Sequence, residues 1–503
     1  MFKFKPTRSP QAYLLRTLGF VAAGAMLLIL GALTALAPEL VVRLTPLILV
    51  GVVMLSAGFV TKTTVDQRLL RLWLAAIVVT ITLWPSYMAI RVGGLPSIDL
   101  RKIVFGLSVL MFFYQCMARP VLSRGWQTLA PGAKWMCWAV ALYGLLRFVS
   151  AFESQAPVLS FLAVAWEWVY YYIPFFFVLF LMRDEGSRQL FVRFVCLLSL
   201  AVLAFAVYER ISGTNPLLRF APVSNDAGEL ATALTMSRLR DGVFRAQATF
   251  EHPLMLAEFA AVVAAFSFGL ALNGRLALVR LAGFAVFLAS CAAALLSGSR
   301  IAFVSLAVVV AAVTLATVVR ARGTRKITTA IATRLFVMLS MAAFAAMAVP
   351  LLQNLLLGRT ATEASSSSAR VQMLKDGIPA MLDSPFFGKG FGRAALEAGV
   401  YGSGGILTLD NYLLNVGIDA GVPALLIFIA IFILPAWMAF KRITEEEGPE
   451  QPFLIAGMAA LIGLLAVRLI LSIPYNLVFA FVIAALVVGA IPRKQLSHAP
   501  YGR

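Results

Sequence analysis

Residues 281–319 read LAGFAVFLASCAAALLSGSRIAFVSLAVVVAAVTLATVV, two apolar runs separated by Ser297-Gly298-Ser299-Arg300. At about 1.5 Å per residue the runs are about 24 and 28 Å long as helices, close to the thickness of a hydrocarbon core of about 30 Å. Lipid offers no hydrogen bonds, so the backbone of such a run must satisfy its own N–H and C=O groups. The four-residue connection then forces a tight helical hairpin at one membrane surface.

Apolar runs of this kind recur along all 503 residues. Fourteen candidate spans follow, at 17–37, 44–60, 72–90, 103–117, 135–152, 158–182, 190–208, 254–272, 281–297, 301–319, 335–352, 412–438, 452–472 and 475–491. The composition is 61% hydrophobic and 13% charged, whereas soluble chains carry about a quarter charged residues. The expected fold is an all-α, polytopic helical bundle, one integral-membrane domain over 1–503. The first span has Ala35 and Ala37 before Pro38, as in a cleavage site. Its apolar stretch is too long for a signal peptide, and it reads as an uncleaved anchor.

The formal charge of +19 suggests an acidic partner such as nucleic acid until it is divided by side. The two tails and every second connection hold 25 basic and seven acidic residues; the other connections hold 17 and 16. The positive-inside rule therefore gives an N-in, C-in chain whose excess charge is topological. The exterior set holds two long connections, 209–253 and 353–411, where function is expected. The first has a turn at Ser212-Gly213-Thr214-Asn215-Pro216, then a helix-compatible stretch from 227 to 240. In the second, Ser365 to Ser368 can cap a short helix over 370–382.

Cys116, Cys137, Cys196 and Cys291 all fall inside spans and read as packing residues. With only His252 and His498, no zinc or di-iron ligand set is present, and neither a D-x-D pair nor a P-loop occurs. No metal or nucleotide cofactor is expected. The exterior side carries arginines instead: Arg300 in the hairpin, Arg370 after the serine run, Arg238, Arg240 and Arg245 before Glu251-His252-Pro253, and Arg147 and Arg468 near the outer ends of their spans. Guanidinium stays charged and presents a planar donor fork, which suits a phosphate or diphosphate. Singly, such arginines also serve as headgroup or loop anchors. Glu167 lies at a depth similar to that of Arg147, and the two are expected to pair. The aromatics Trp166, Trp168, Tyr170, Tyr171 and Tyr172 around it serve either as interface anchors or as a sugar-stacking wall. Glu258 is a further intramembrane carboxylate.

The segment Ser297-Gly298-Ser299-Arg300-Ile301-Ala302-Phe303 resembles the T/S-G-S-R hairpin of the O-antigen ligase and Wzy-type polymerase superfamily. Ala369-Arg370 followed by Asp383-Ser384-Pro385-Phe386-Phe387-Gly388-Lys389-Gly390-Phe391-Gly392 resembles its R…(D/N)-x-P-x-x-G-x-G-x-G signature. Where the family has His-Asn before the next span, this chain has Asp410-Asn411 and then Gly417-Ile418-Asp419-Ala420-Gly421. Arg245-Ala246-Gln247-Ala248-Thr249-Phe250-Glu251-His252-Pro253 is similar to an R-x-x-G-T-x-x-x-P element of polymerase members, with Ala248 replacing glycine. These matches occur in order over 208–421.

The resemblance implies a metal-independent inverting glycosyltransferase of the C-type fold. Its donor is an undecaprenyl-diphosphate-linked glycan at the periplasmic face of a bacterial inner membrane, and it needs no cofactor. Polymerases extend a lipid-linked repeat unit; ligases transfer the glycan to lipid A core. Arg300 and Arg370 are the candidates for stabilising the departing diphosphate. Asp410, where the family has histidine, is the candidate base or acceptor-orienting group, or else simply a helix cap. Arg245, Glu251, His252, Asn411, Lys389, Arg393, Arg468, Arg147 and Glu167 are candidates for binding substrate. The partners implied are the lipid-linked oligosaccharide and the membrane, with a flippase and a chain-length regulator as associated proteins, and no nucleic acid. The R-A-Q-A-T-F-E-H-P stretch and the Asp410 replacement incline the reading to a polymerase, with a ligase as alternative. A lipid-linked oligosaccharide flippase or other transporter is the competing class, but the charged spans favour the outer half, as chemistry at one face requires.

Overall fold

The computed structural model describes residues 67–85, 88–90, 98–118, 121–217, 239–240, 243–274, 276–322, 361–401, 407–445 and 448–491. Among them the chain is helical almost throughout. The helices are α1 (Gln67–Leu83), α2 (Leu100–Ala118), α3 (Val121–Thr128), α4 (Pro131–Ser150), α5 (Pro157–Glu167), α6 (Ile173–Leu181), α7 (Glu185–Ser212), α8 (Pro253–Asn273), α9 (Ala277–Leu296), α10 (Arg300–Arg322), α11 (Ala361–Asp383), α12 (Ala394–Ala398), α13 (Tyr412–Glu445), α14 (Gln451–Arg468) and α15 (Leu477–Ala490). A π-helical turn, Trp168–Tyr172, joins α5 to α6. The sheet content is three antiparallel pairs of two-residue strands.

Nine helical segments among the described residues are long and apolar enough to cross a membrane, and α15 is a shorter apolar helix. The fold is therefore an all-α polytopic membrane bundle. Each expected span from the third to the tenth, and each of the last three, overlaps helix, although the third ends at Leu83, short of its expected limit at 90, and Ala89–Ile90 pairs as a strand with Ile98–Asp99. The spans at 17–37, 44–60 and 335–352 lie outside the described residues, as do residues 218–238 of the first long loop.

Two local expectations need correction. The serine run does not cap a helix starting at Arg370: α11 begins at Ala361 and passes through it. Serine costs only tenths of a kcal/mol per residue in a helix, and the packing of Met373 and Ala380 with Leu414 and Ile418 outweighs that. The stretch expected to be helix-compatible through Arg240 ends instead in a strand, Leu239–Arg240, paired with Val243–Phe244.

Three helices form the centre. α8 and α15 are buried on nearly every side, and α14 over most of its surface. Helices gain nothing from leaving lipid for one another, so close packing of small residues holds them. Gly269 of α8 lies against Ala456 of α14, and Gly463 of α14 lies against Val309 of α10.

The connections sort onto two ends, as the charge count expects of alternate loops. At one end, called here the loop end, the Ala246 N–H donates to the Leu296 carbonyl (3.0 Å), the Thr249 hydroxyl to the Thr82 carbonyl (2.6 Å) and the Asn476 amide to the Met255 carbonyl (3.0 Å). At the other, Arg71 pairs with Asp184 (2.7 Å), Arg183 donates to Thr128 (3.0 Å) and Asn273 donates to Thr317 (3.1 Å).

Ala248 is a strained point at the loop end. Its φ is +53°, a left-handed conformation that costs an L-residue about 1–2 kcal/mol. The buried Glu209 carboxylate holds it there by accepting the N–H groups of Gln247 (3.0 Å) and Ala248 (2.6 Å). The family element has glycine at this place, and the backbone shows why. Ala248→Gly is expected to stabilise the protein by about 1 kcal/mol, read as a higher melting temperature in detergent; a lower one would refute the strain.

Candidate functional site

The loop-end site is built on a break in α13. Gly421 (φ 85°, ψ 171°) interrupts that helix, which leaves the groups on either side without intrahelical partners. The glycine-rich loop supplies them. Lys389 N–H donates to the Ile418 carbonyl (2.7 Å), Gly390 N–H to the Asp419 carbonyl (3.1 Å), and Val422 N–H to the Pro385 carbonyl (2.7 Å). Gly390 (φ 104°) also lies so close to Glu153 that a Cβ there would stand 2.6 Å from its carbonyl oxygen. Phe391 N–H then donates to the Ser150 carbonyl (3.2 Å). The G-K-G-F-G stretch is thus pressed between the end of α4 and the broken helix, with no room for a Cβ at Gly388 or Gly390.

A buried charge network lies beneath it. The Asp419 carboxylate accepts the N–H groups of Gly392 (3.0 Å) and Ala394 (2.8 Å) and meets Arg147 at 3.4 Å. Arg147 forks onto Glu167 (2.9 and 3.2 Å), as expected, and its guanidinium lies 4.2 Å from the centre of the Phe391 ring. Tyr172 donates to the same Glu167 (2.9 Å). Arg147 and Asp419 are only 3% and 2% exposed, so these charges are tolerable only because each is paired and hydrogen-bonded. Tyr171 and Tyr172 are buried in the core, whereas Trp166 stacks on Tyr170 (5.5 Å) with Lys102 5.7 Å from its ring.

Above this platform stand Arg370 of α11 and Asp410, just before α13. Their charged groups are 3.8 Å apart, with the side chains 37% and 42% exposed. The contact is loose, and Arg370 Nε has no hydrogen-bond partner among the described residues. Asn411, not Asp410, caps α13: its side-chain oxygen accepts the Leu414 N–H (3.0 Å). That leaves the Asp410 carboxylate without a capping duty. Partial burial raises its pKa above the usual aspartate value, and the Arg370 charge opposes that rise.

Arg300 is the first residue of α10. A cation there opposes the helix macrodipole, while a bound anion would satisfy both. Arg245 supports the same hairpin from below: its Nε donates to the Ser297 carbonyl (3.1 Å), and its side chain lies against Gly298. Glu251 pairs with Arg101 of α2 (3.3 Å), whose Nε donates to the Trp84 carbonyl (2.8 Å). His252 Nδ1 accepts the Leu254 N–H (3.1 Å) as the cap of α8; burial pushes its pKa down to about 4, leaving it neutral. Lys389 contacts Asp383 and Glu397 (both 3.2 Å), and Arg393 contacts Glu397 (2.6 Å). Arg468 is fully buried against Glu258, with the Tyr412 ring 5.6 Å from it.

Of the residues picked out in the sequence, the structure brings together Arg147 with Glu167, the one pair expected, and also Arg370 with Asp410 and Arg245 with the hairpin. Sequence reasoning missed Asp419 and Arg101. Asp419 carried a usable signal: a carboxylate between two glycines inside an apolar span demands a partner. Arg101, just outside an expected span, carried no such signal.

No curated protein matches this chain. Residues 284–429, which run from α9 through the hairpin and the glycine loop into α13, match the family model described as O-antigen ligase, and this match bears out the chain's resemblance to the O-antigen ligase and Wzy-type polymerase superfamily.

Proposed function

We propose that the chain polymerises undecaprenyl-diphosphate-linked oligosaccharide repeat units into exopolysaccharide or O-antigen. The reaction is a metal-independent inverting glycosyl transfer at the loop end, which this reading assigns to the periplasmic face of the bacterial inner membrane. The fold is then of the C-type, with both termini cytoplasmic. The observation that carries the reading is the Arg370–Asp410 pair, half-exposed at the end of the bundle inside the segment matched by the family model.

The chemistry follows from the groups available. The acceptor hydroxyl oxygen attacks the anomeric carbon, the anomeric C–O bond to the diphosphate breaks, and the hydroxyl proton passes to Asp410. Burial makes that carboxylate a better proton acceptor than a fully solvated one. Negative charge develops on the departing lipid diphosphate, and Arg370 and Arg300 stabilise it with fixed donors. Arg245, Glu251, His252, Asn411, Lys389 and Arg393 shape the surrounding wall, Arg147 and Glu167 hold its floor, and Arg468, fully buried against Glu258, supports it without reaching substrate. A flippase supplies the lipid-linked units, and a chain-length regulator limits the product.

A ligase transferring the finished glycan to lipid A core is the second reading, favoured by the description of the matching family model. Removing the chain from its host and analysing lipid-linked and surface glycans separates the readings. Accumulated single repeat units on the carrier are expected; long carrier-linked chains would show a ligase. Units held on the cytoplasmic side would identify a flippase and overturn glycosyl transfer.

A further inference from the structure

At the end opposite the site, a groove of about 820 Å³ opens between α7, the turn from α8 to α9, and the start of α14. That volume lies within the range of about 300–1,000 Å³ typical of ligand pockets. Its walls are apolar, among them Val192, Leu197, Phe266, Leu270, Val286 and Phe453. Leu276, Leu278 and Leu281 beside it are 66%, 75% and 66% exposed, as side chains in contact with lipid are.

The rim is polar and its charges do not cancel. Arg188, Arg193, Glu185 and Glu450 line it, and Arg280 lies beside Gly274 at its edge. Glu450 is occupied by Arg442 (3.1 Å), and Glu185 accepts from Gln189 (2.8 Å) within the first turn of α7. Arg188 donates to the Arg183 carbonyl (2.6 Å), and the carboxylates of Glu185, Glu450 and Asp184 act on its charge. Arg193 and Arg280 have no ion pair among the described residues.

We propose that this groove is a binding site for one anionic phospholipid. Its acyl chains fill the apolar trough, and its phosphate is held at the mouth by Arg188, Arg193 and Arg280. A basic pocket between membrane helices, at the level of the headgroups, matches that ligand in both charge and shape. A zwitterionic lipid would satisfy the walls but leave the guanidinium groups without a counter-charge. The lipid would pack α7, α9 and the start of α14 into one unit, so its binding should stabilise the fold. The inference is independent of the glycosyl-transfer reading.

The test uses the full chain reconstituted with phosphatidylglycerol or with phosphatidylcholine. Native mass spectrometry should retain one phosphatidylglycerol per chain, and the melting temperature should be several degrees higher in that lipid. The double variant Arg193→Gln/Arg280→Gln should lose both the retained lipid and the difference in melting temperature, while melting normally in phosphatidylcholine. Val279→Trp, which fills the trough and leaves the rim intact, should also lose the retained lipid. Equal retention of the two lipids, recovery of a polyprenyl lipid in their place, or an anionic preference that survives the double variant would each overturn the proposal.

Discussion

Replacing Arg370 with glutamine should lower glycan transfer by about a hundred- to a thousandfold, since a fixed donor to a charge-developing oxygen contributes about 2.7–4 kcal/mol. The fold should survive. Arg370 is 37% exposed and its contact with Asp410 is 3.8 Å, and an exposed pair of that kind adds at most about 1 kcal/mol. Lysine should rescue little, because a point charge does not reproduce the two-pronged fork. The pH profile then identifies Asp410. As the base it must be ionised, so activity falls as the pH drops through its pKa, which burial has raised and Arg370 holds in check. Removing the Arg370 charge raises that pKa further, and the acidic limb of the profile should move to higher pH in Arg370→Gln but not in Arg370→Lys. Asp410→Asn should abolish transfer at normal expression. Full activity in that variant would remove the base from the mechanism.

The largest effect on stability is expected from Asp419→Ala. The carboxylate is 2% exposed and accepts the N–H groups of Gly392 and Ala394 while facing Arg147. Truncation leaves two buried donors and part of a buried cation without an acceptor, a loss of about 3–5 kcal/mol. The apparent melting temperature in detergent should fall by on the order of 5 °C. The glycine loop should become accessible to protease, because among the described residues its other hydrogen bonds to α13 are the three backbone bonds at the helix break. Arg147→Met combined with Asp419→Ala should cost less than the sum of the two, since each single change strands the other charge. Strictly additive losses would show that the two residues act separately.

The helices were legible because hydropathy is a local property. A chain entering lipid must bond its own backbone, so an apolar run of about 20 residues can only be a helix, and α8, α9, α10 and α14 fall where the runs do. The failures are equally physical. The serine run reads as a cap because serine competes for the backbone locally, but the face formed by Met373 and Ala380 is buried against α13 and keeps that stretch helical. Asp410 and Asn411 stand side by side, and both are good caps by propensity. Which one turns inward depends on α11, whose Arg370 faces Asp410 while Asn411 bonds Leu414.

By itself the sequence determined that the chain is a polytopic helical membrane protein, that its connections alternate between a basic and a near-neutral side, and that its motifs fall in the order of one superfamily. The first two follow from composition and period, which act within a few tens of residues; the last is a resemblance carried by the motifs themselves. Only the tertiary structure decided what the motifs do to one another. The glycine signature and the Asp419 segment, more than 25 residues apart, are two halves of one repair, in which a loop replaces the hydrogen bonds lost where α13 breaks. Arg147, 272 positions from Asp419, holds that repair from below. Such pairings depend on which groups are left unsatisfied when helices pack, and a buried unpaired group costs too much to remain.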